Sequence, residues 1–205
     1  MAIKAVIFDL DGTLYDRTGL PLRLIMKFLL YGNLDMMKQE RLVRSRLKGH
    51  AFESEEAFYN YFFHQFPQPR AREWYLERFL PVMTTMLKKH YHIAPWVPGL
   101  IKQLSDRQIK IAVFSDYGGV KDRLEALGFD LAWADVMTDA PALGGLKPCQ
   151  MAFEKLASLL EVKPQECLVV GDRDDTDGEG ARSAGMAFFK VCKARLKPEE
   201  LISKL

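Results

Sequence analysis

The stretch Val6-Ile7-Phe8-Asp9-Leu10-Asp11-Gly12-Thr13-Leu14 constrains this chain more than any other. Its apolar start does not alternate with polar residues, the pattern of a parallel strand covered on both faces. The run then delivers two carboxylates two residues apart, followed by a glycine that lets the chain leave the strand sharply. Carboxylates held that close repel unless a cation or a proton shares the site. The pattern points to a metal site built from oxygen ligands, for which a hard ion such as Mg2+ is the usual occupant. The competing reading is a solvated acidic turn after a core strand.

Two further apolar runs, 110–115 and 167–171, read as buried strands, and 133–138 and 186–191 as shorter ones. Helices are predicted between them: 99–107 with Pro98 in its first turn, one opening at Gly118-Gly119 and stopping at Gly128, then 148–160, 178–184 and 198–205. Strands alternating with helices predict an α/β fold, a doubly wound parallel sheet with a Rossmann-like core. In such sheets the site lies beyond the carboxyl ends of the strands, where Asp9, Ser115 and Asp172 fall.

Residues 17–92 carry no strand signal. Leu22, Ile25, Met26, Leu29 and Leu30 recur at helical spacing and predict a buried face, followed by 36–47 and by Phe58, Phe62 and Phe66. Pro67 and Pro69 break the pattern before a helix over 70–89, with Trp74, Leu80, Met83 and Leu87 placed for burial. The segment reads as an inserted all-α cap of roughly four helices. The expected division is a core of residues 1–16 and 93–205 and a cap of residues 17–92. The cap's many aromatic residues suit a hydrophobic core better than a stacking platform for bases.

A net charge of +2 says little until it is divided. Residues 17–93 hold 13 Lys/Arg against 7 Asp/Glu, and the remainder 16 against 20. A basic insertion beside an acidic core suits an anionic substrate bound between them, although solvated helix faces give the same asymmetry. No apolar run reaches the roughly 18 residues of a membrane span, and no nucleic-acid module is recognisable. Met1 to Lys4 lead straight into the first strand, so the expectation is a soluble cytoplasmic protein. Cys149, Cys167 and Cys192 show no Cys-x-x-Cys spacing and read as buried reduced thiols. No Walker A or Gly-x-Gly-x-x-Gly fingerprint supports a nucleotide cofactor. An EF-hand alignment on Gly178 fails, because Arg173 and Ala184 would stand where acids are needed.

At Asp9-x-Asp11-Gly12-Thr13 the chain resembles the haloacid dehalogenase-like hydrolase superfamily, and matching pieces recur in the family's order at Ser115, at Lys147-Pro148 and at Gly171-Asp172 through Asp177. The resemblance implies an aspartyl-phosphate mechanism with Asp9 as nucleophile. It implies Asp11 as the general acid/base, with a metal ligand drawn from the backbone carbonyl at that position. Thr13, Ser115 and Lys147 would bind the phosphoryl group. Asp172 would be a side-chain metal ligand opposite Asp9, and Asp177 would hold a metal-bound water or Lys147. Asp174 and Asp175 are extra acids. A carboxylate at position 11 favours phosphatase or phosphomutase chemistry over dehalogenation.

The function expected is a Mg2+-dependent phosphatase for a small phosphorylated metabolite, with the cap closing over the site. Arg46, Lys48 and His50, clustered around Gly49, are guessed as cap contacts to substrate. The alternatives are a phosphomutase on a sugar phosphate and a non-catalytic phosphate-binding protein. Oligomeric state is left open.

Overall fold

Strand β1 (Ala5–Asp9) is buried along its whole length because it has a partner on each side. In the computed structural model, which describes residues 2–205, β1 pairs in parallel with β2 (Lys110–Ser115) and with β4 (Cys167–Gly171). β3 (Val136–Asp139) extends the sheet beyond β2, and β5 (Ala187–Lys190) extends it beyond β4, giving the order β3-β2-β1-β4-β5. The two edge strands are short and partly exposed, whereas the three central ones are the unbroken apolar runs of the sequence.

The register sets the carboxyl edge. Asp9 lies beside Phe114 and Phe8 beside Val170, so Asp9, Ser115 and Gly171 end at nearly one level. Helices α6 (Val97–Asp106), α7 (Val120–Ala126), α8 (Gln150–Leu159), α9 (Glu179–Ser183) and α10 (Pro198–Ile202) cover the sheet. α9 crosses α8 closely at Gly180, where a Cβ would meet the Phe153 ring at 2.1 Å.

The sequence placed a strand over 133–138, and the structure corrects its start. The Asp130 carboxylate accepts the Ala132 N–H at 2.9 Å and closes a 3-10 turn over Leu131–Trp133. Pairing begins only at Val136, after Asp135 accepts the Ile111 N–H at 2.7 Å.

Between β1 and β2 the chain is helical: α1 (Leu20–Leu30), α2 (Leu34–Arg46), α3 (Glu55–His64), α4 (Ala71–Trp74) and α5 (Leu80–His90). α4 and α5 are one rod joined through a wider π-helical turn, Tyr75–Phe79. Pro81 stands in the first turn of α5 and lacks an N–H, so a widened turn ahead of it relieves the usual clash. Two hydrophobic clusters flank the sheet, and the helical segment contributes to both. Phe28, Tyr75, Phe79 and Leu87 join Val6 and Phe8 in one, while Phe58, Phe62 and Phe66 join Ile7 and Phe114 in the other.

The face predicted for α1 is reversed. Leu20, Leu24 and Phe28 are buried, whereas Leu22, Met26, Leu29 and Leu30 are 58–81% exposed. Both sides of this helix are apolar, so periodicity alone does not choose between them. Phe28 decides the matter by stacking on Phe79, with ring centroids 5.8 Å apart. Of the thiols, Cys149 and Cys167 are buried as expected and Cys192 is exposed. No helix among the described residues is long and apolar enough to cross a membrane.

The reversal is checked by paired substitutions read from urea denaturation. Leu24→Ala is expected to cost about 2–5 kcal/mol as a buried cavity, and Leu29→Ala to stay within about 0.5 kcal/mol.

Candidate active site

The turn after β1 is tight: the Leu10 carbonyl accepts the Leu14 N–H at 3.2 Å, and Gly12 adopts φ 96°. A Cβ on Gly12 would sit 2.4 Å from Oδ2 of Asp172, so only glycine lets the β1 and β4 loops approach this closely. Thr13 is fully buried, and its hydroxyl donates to Oδ2 of Asp9 at 2.9 Å. On the β4 side, Gly171 has the same function, since a Cβ there would lie 2.5 Å from the Asp177 side chain.

Lys147 joins the two sides. Its ammonium donates to Asp9 Oδ1 at 2.7 Å and to Asp177 Oδ1 at 2.8 Å, and it lies 4.8 Å from the centre of the Phe114 ring. All three charged groups are buried. Burial would push the Lys147 ammonium down, but the Asp177 and Asp9 carboxylates outweigh it and keep the group charged. Asp177 also accepts the Arg173 N–H at 3.2 Å from the π-helical turn Asp174–Gly178.

Carboxylate oxygens of Asp9, Asp172 and Asp177 all lie within 4.8 Å of one another. Burial pushes the Asp9 carboxyl up to about 8, with Lys147 opposing and Asp177 and Asp11 adding to the rise. Burial likewise raises Asp172, whose Oδ2 takes Arg17 at 3.4 Å. Three close acids flanked by two cationic side chains are a donor set compatible with a hard divalent cation.

Asp11 faces elsewhere. Both of its oxygens accept from Arg123 Nη2 at 2.5 Å, Tyr15 donates to Oδ1 at 2.6 Å, and Ser115 donates to Oδ2 at 3.1 Å. Burial would raise this carboxyl, but the Arg123 guanidinium and the hydroxyls of Tyr15 and Ser115 hold it below the usual range. Ser115 in turn accepts from Arg123 Nη1 at 3.0 Å and from the Tyr117 N–H at 3.2 Å. The Asp11 carboxylate is therefore not one of the clustered metal-ligand candidates.

Arg123 is wholly buried, yet it was not singled out in the sequence, where an arginine on a short helix reads as surface. The one available signal was its place on the inward face of α7 with Val120 and Leu124. Tyr15 was read only as part of the turn after Thr13, where nothing signals that its hydroxyl reaches back to Asp11.

None of the guessed cap contacts hydrogen-bonds to Asp9, Asp172 or Asp177 among the described residues. Arg46 is exposed, and His50 is exposed with Nδ1 3.2 Å from the Lys48 carbonyl oxygen. Lys48 reaches Asp175 at 3.1 Å across the surface. Asp174 pairs with Arg182 at 3.1 Å and is solvated.

A family model described as haloacid dehalogenase-like hydrolase matches residues 3–185. The glyceraldehyde 3-phosphate phosphatase of Methanopyrus kandleri is 28% identical over 217 residues, covering 97% of this chain and 88% of that protein. A crystal structure of a HAD phosphatase from Thermococcus onnurineus superposes with a TM-score of 0.62 at 21% identity, over 92% of this chain and 86% of that one. A β-phosphoglucomutase from Clostridium difficile reaches 0.67 at 20% identity, over 98% and 96%.

Two measurements test these electrostatics. With Asp9 raised to about 8, the cation-free protein holds a proton there at lower pH, which must leave before a cation binds. The rise in melting temperature on adding Mg2+ should therefore be large at pH 8 and shrink as pH falls towards 6. Separately, Arg123→Met leaves Asp11 buried without its cation and should cost about 3–5 kcal/mol in urea denaturation, with Asp11→Asn recovering part of the loss.

Proposed function

Because the chain belongs to the haloacid dehalogenase-like hydrolase family, we propose that it is a Mg2+-dependent phosphatase acting on a small phosphorylated metabolite through an aspartyl-phosphate on Asp9. The observation that carries this reading is the buried Asp9–Lys147–Asp177 cluster at the carboxyl edge of the sheet, with Asp172 beside it. A phosphatase among the relatives supports it.

Thr13 and Lys147 each hold one oxygen of Asp9, which fixes the carboxylate and leaves its remaining lone pairs for attack on phosphorus. As the ester bond breaks, the leaving oxygen needs a proton and the phosphoryl oxygens need positive charge. Lys147 supplies charge, and the Ser115 hydroxyl, which otherwise donates to Asp11, would turn to a phosphoryl oxygen at the same edge. Mg2+ held by Asp9, Asp172 and Asp177 would neutralise the charge of the dianionic substrate.

Asp11 is assigned the proton transfers of both half-reactions. It starts ionised against Arg123, the state required to take a proton from water in hydrolysis of the intermediate. To protonate the leaving alcohol it must first leave that ion pair and take up a proton from water. The helices of residues 17–92 act as the cap in this reading, and the basic excess of that segment favours an anionic substrate. Three unpaired cysteines suit a reducing, cytoplasmic setting.

Phosphate release from p-nitrophenyl phosphate is the test. Activity is expected with Mg2+ and none with chelator. Asp9→Asn should lower kcat at least about a thousandfold, and Lys147→Met about a hundred- to a thousandfold. Full activity in Asp9→Asn would remove the covalent mechanism.

A further inference from the structure

One short segment of the inserted helices touches three of the four loops that build the site. Arg44, buried near the end of α2, donates from Nη1 to the Asp116 carbonyl oxygen at 2.8 Å, in the loop that follows Ser115. Its other nitrogens are taken by Glu40 at 2.7 Å and by the Tyr75 hydroxyl at 3.1 Å, and its guanidinium lies 4.1 Å from the centre of the Tyr117 ring. The Asp116 carboxylate accepts the Lys147 N–H at 2.9 Å, so Arg44 grips the residue that holds the Lys147 backbone.

Farther along, the Gly49 N–H donates to the Leu146 carbonyl at 3.1 Å and the Phe52 N–H to the Gly144 carbonyl at 2.6 Å. Lys48 pairs with Asp175 in the loop after β4. The core side is shaped to receive this segment: a Cβ on Gly144 would lie 2.4 Å from the Phe52 carbonyl oxygen, and one on Gly145 2.5 Å from that of His50.

We propose that residues 44–52 are a positioning clamp, with Arg44 its anchor, that fixes the Lys147 loop against the loops of Ser115 and Asp172 so that the Lys147 ammonium meets Asp9. The proposal rests on the phosphatase reading of the site. Arg44 is a positioning residue here: each of its three nitrogens donates to a partner within the protein, Glu40, Asp116 or Tyr75. The segment guessed from sequence to contact substrate thus acts on the protein itself, through backbone groups that sequence does not display.

The test uses two routes to the same contact. Glu40→Gln/Arg44→Met removes the anchor without leaving a lone buried charge, and Gly145→Ala intrudes from the core side. Both are compared for kcat and KM on p-nitrophenyl phosphate and for amide hydrogen exchange over residues 144–149. The clamp predicts that kcat falls at least about tenfold with KM changed less than about twofold, because misplacing a reacting group mainly costs rate. Exchange over 144–149 should quicken while β1 and β4 keep their protection. Arg44→Lys should recover part of kcat. Folded variants with unchanged kcat and unchanged exchange overturn the clamp, as does a rise in KM at constant kcat, which would make Arg44 a substrate contact. Loss of protection throughout the sheet in both variants would show general support of the fold and also overturns it. Should the wild type prove inactive on phosphate esters, the phosphatase reading falls while the exchange measurement still decides the clamp.

Discussion

The buried contact of Lys147 with Asp9 and Asp177 is the interaction on which the site depends. An ammonium and two carboxylates withdrawn from water cost several kcal/mol each, and their attraction offsets this only when the geometry is held closely. That requirement accounts for features that otherwise look unrelated. Gly171 lets Asp177 come against the end of β4, Thr13 takes the Asp9 oxygen that Lys147 leaves, and Asp116 fixes the Lys147 backbone. The same geometry leaves the cluster with more acid than base, a poor resting state for the protein alone and a good one for a protein that takes up a divalent cation.

The helices between β1 and β2 are better understood as part of this frame than as an appendage. Their aromatic residues pack with strand residues on both faces of the sheet, so the sheet's two clusters are completed by the insertion. A cap that slides freely over a core needs an interface of modest size, whereas this one shares packed side chains and the hydrogen bond from buried Arg44 to the Asp116 carbonyl. Rigid packing transmits position, so a displacement of α2 is felt at the carboxyl edge of the sheet.

The strands and the acids at their ends were legible in the sequence because both follow from local rules. Apolar runs without alternation mark central parallel strands, and a carboxylate at a strand's end has few structural reasons to be there. Asp9 followed from that pattern, whereas Lys147, Asp172 and Asp177 were expected from the resemblance to the family, and all four meet in space. What failed to show was set by partners distant in sequence. α1 is apolar on both sides, and Trp74 and Phe79, more than forty residues after Phe28, select which side is covered. Arg123 lies 112 residues from Asp11, and nothing on α7 announces that its arginine points inward. The start of β3 was misjudged because one aspartate turned an apolar stretch into a 3-10 turn.

The sheet order carries a consequence for biosynthesis. β1 is translated first yet occupies the centre, and its partners begin at residues 110 and 167. At the usual pace of translation, roughly 10–30 s separate this strand from its second neighbour. Throughout that interval a five-residue apolar ribbon has at least one open hydrogen-bonding edge, the kind that pairs with other chains. Placing Asp9 on the central strand holds it between two paired neighbours in the finished sheet and makes the nascent chain depend longest on protection from its neighbours.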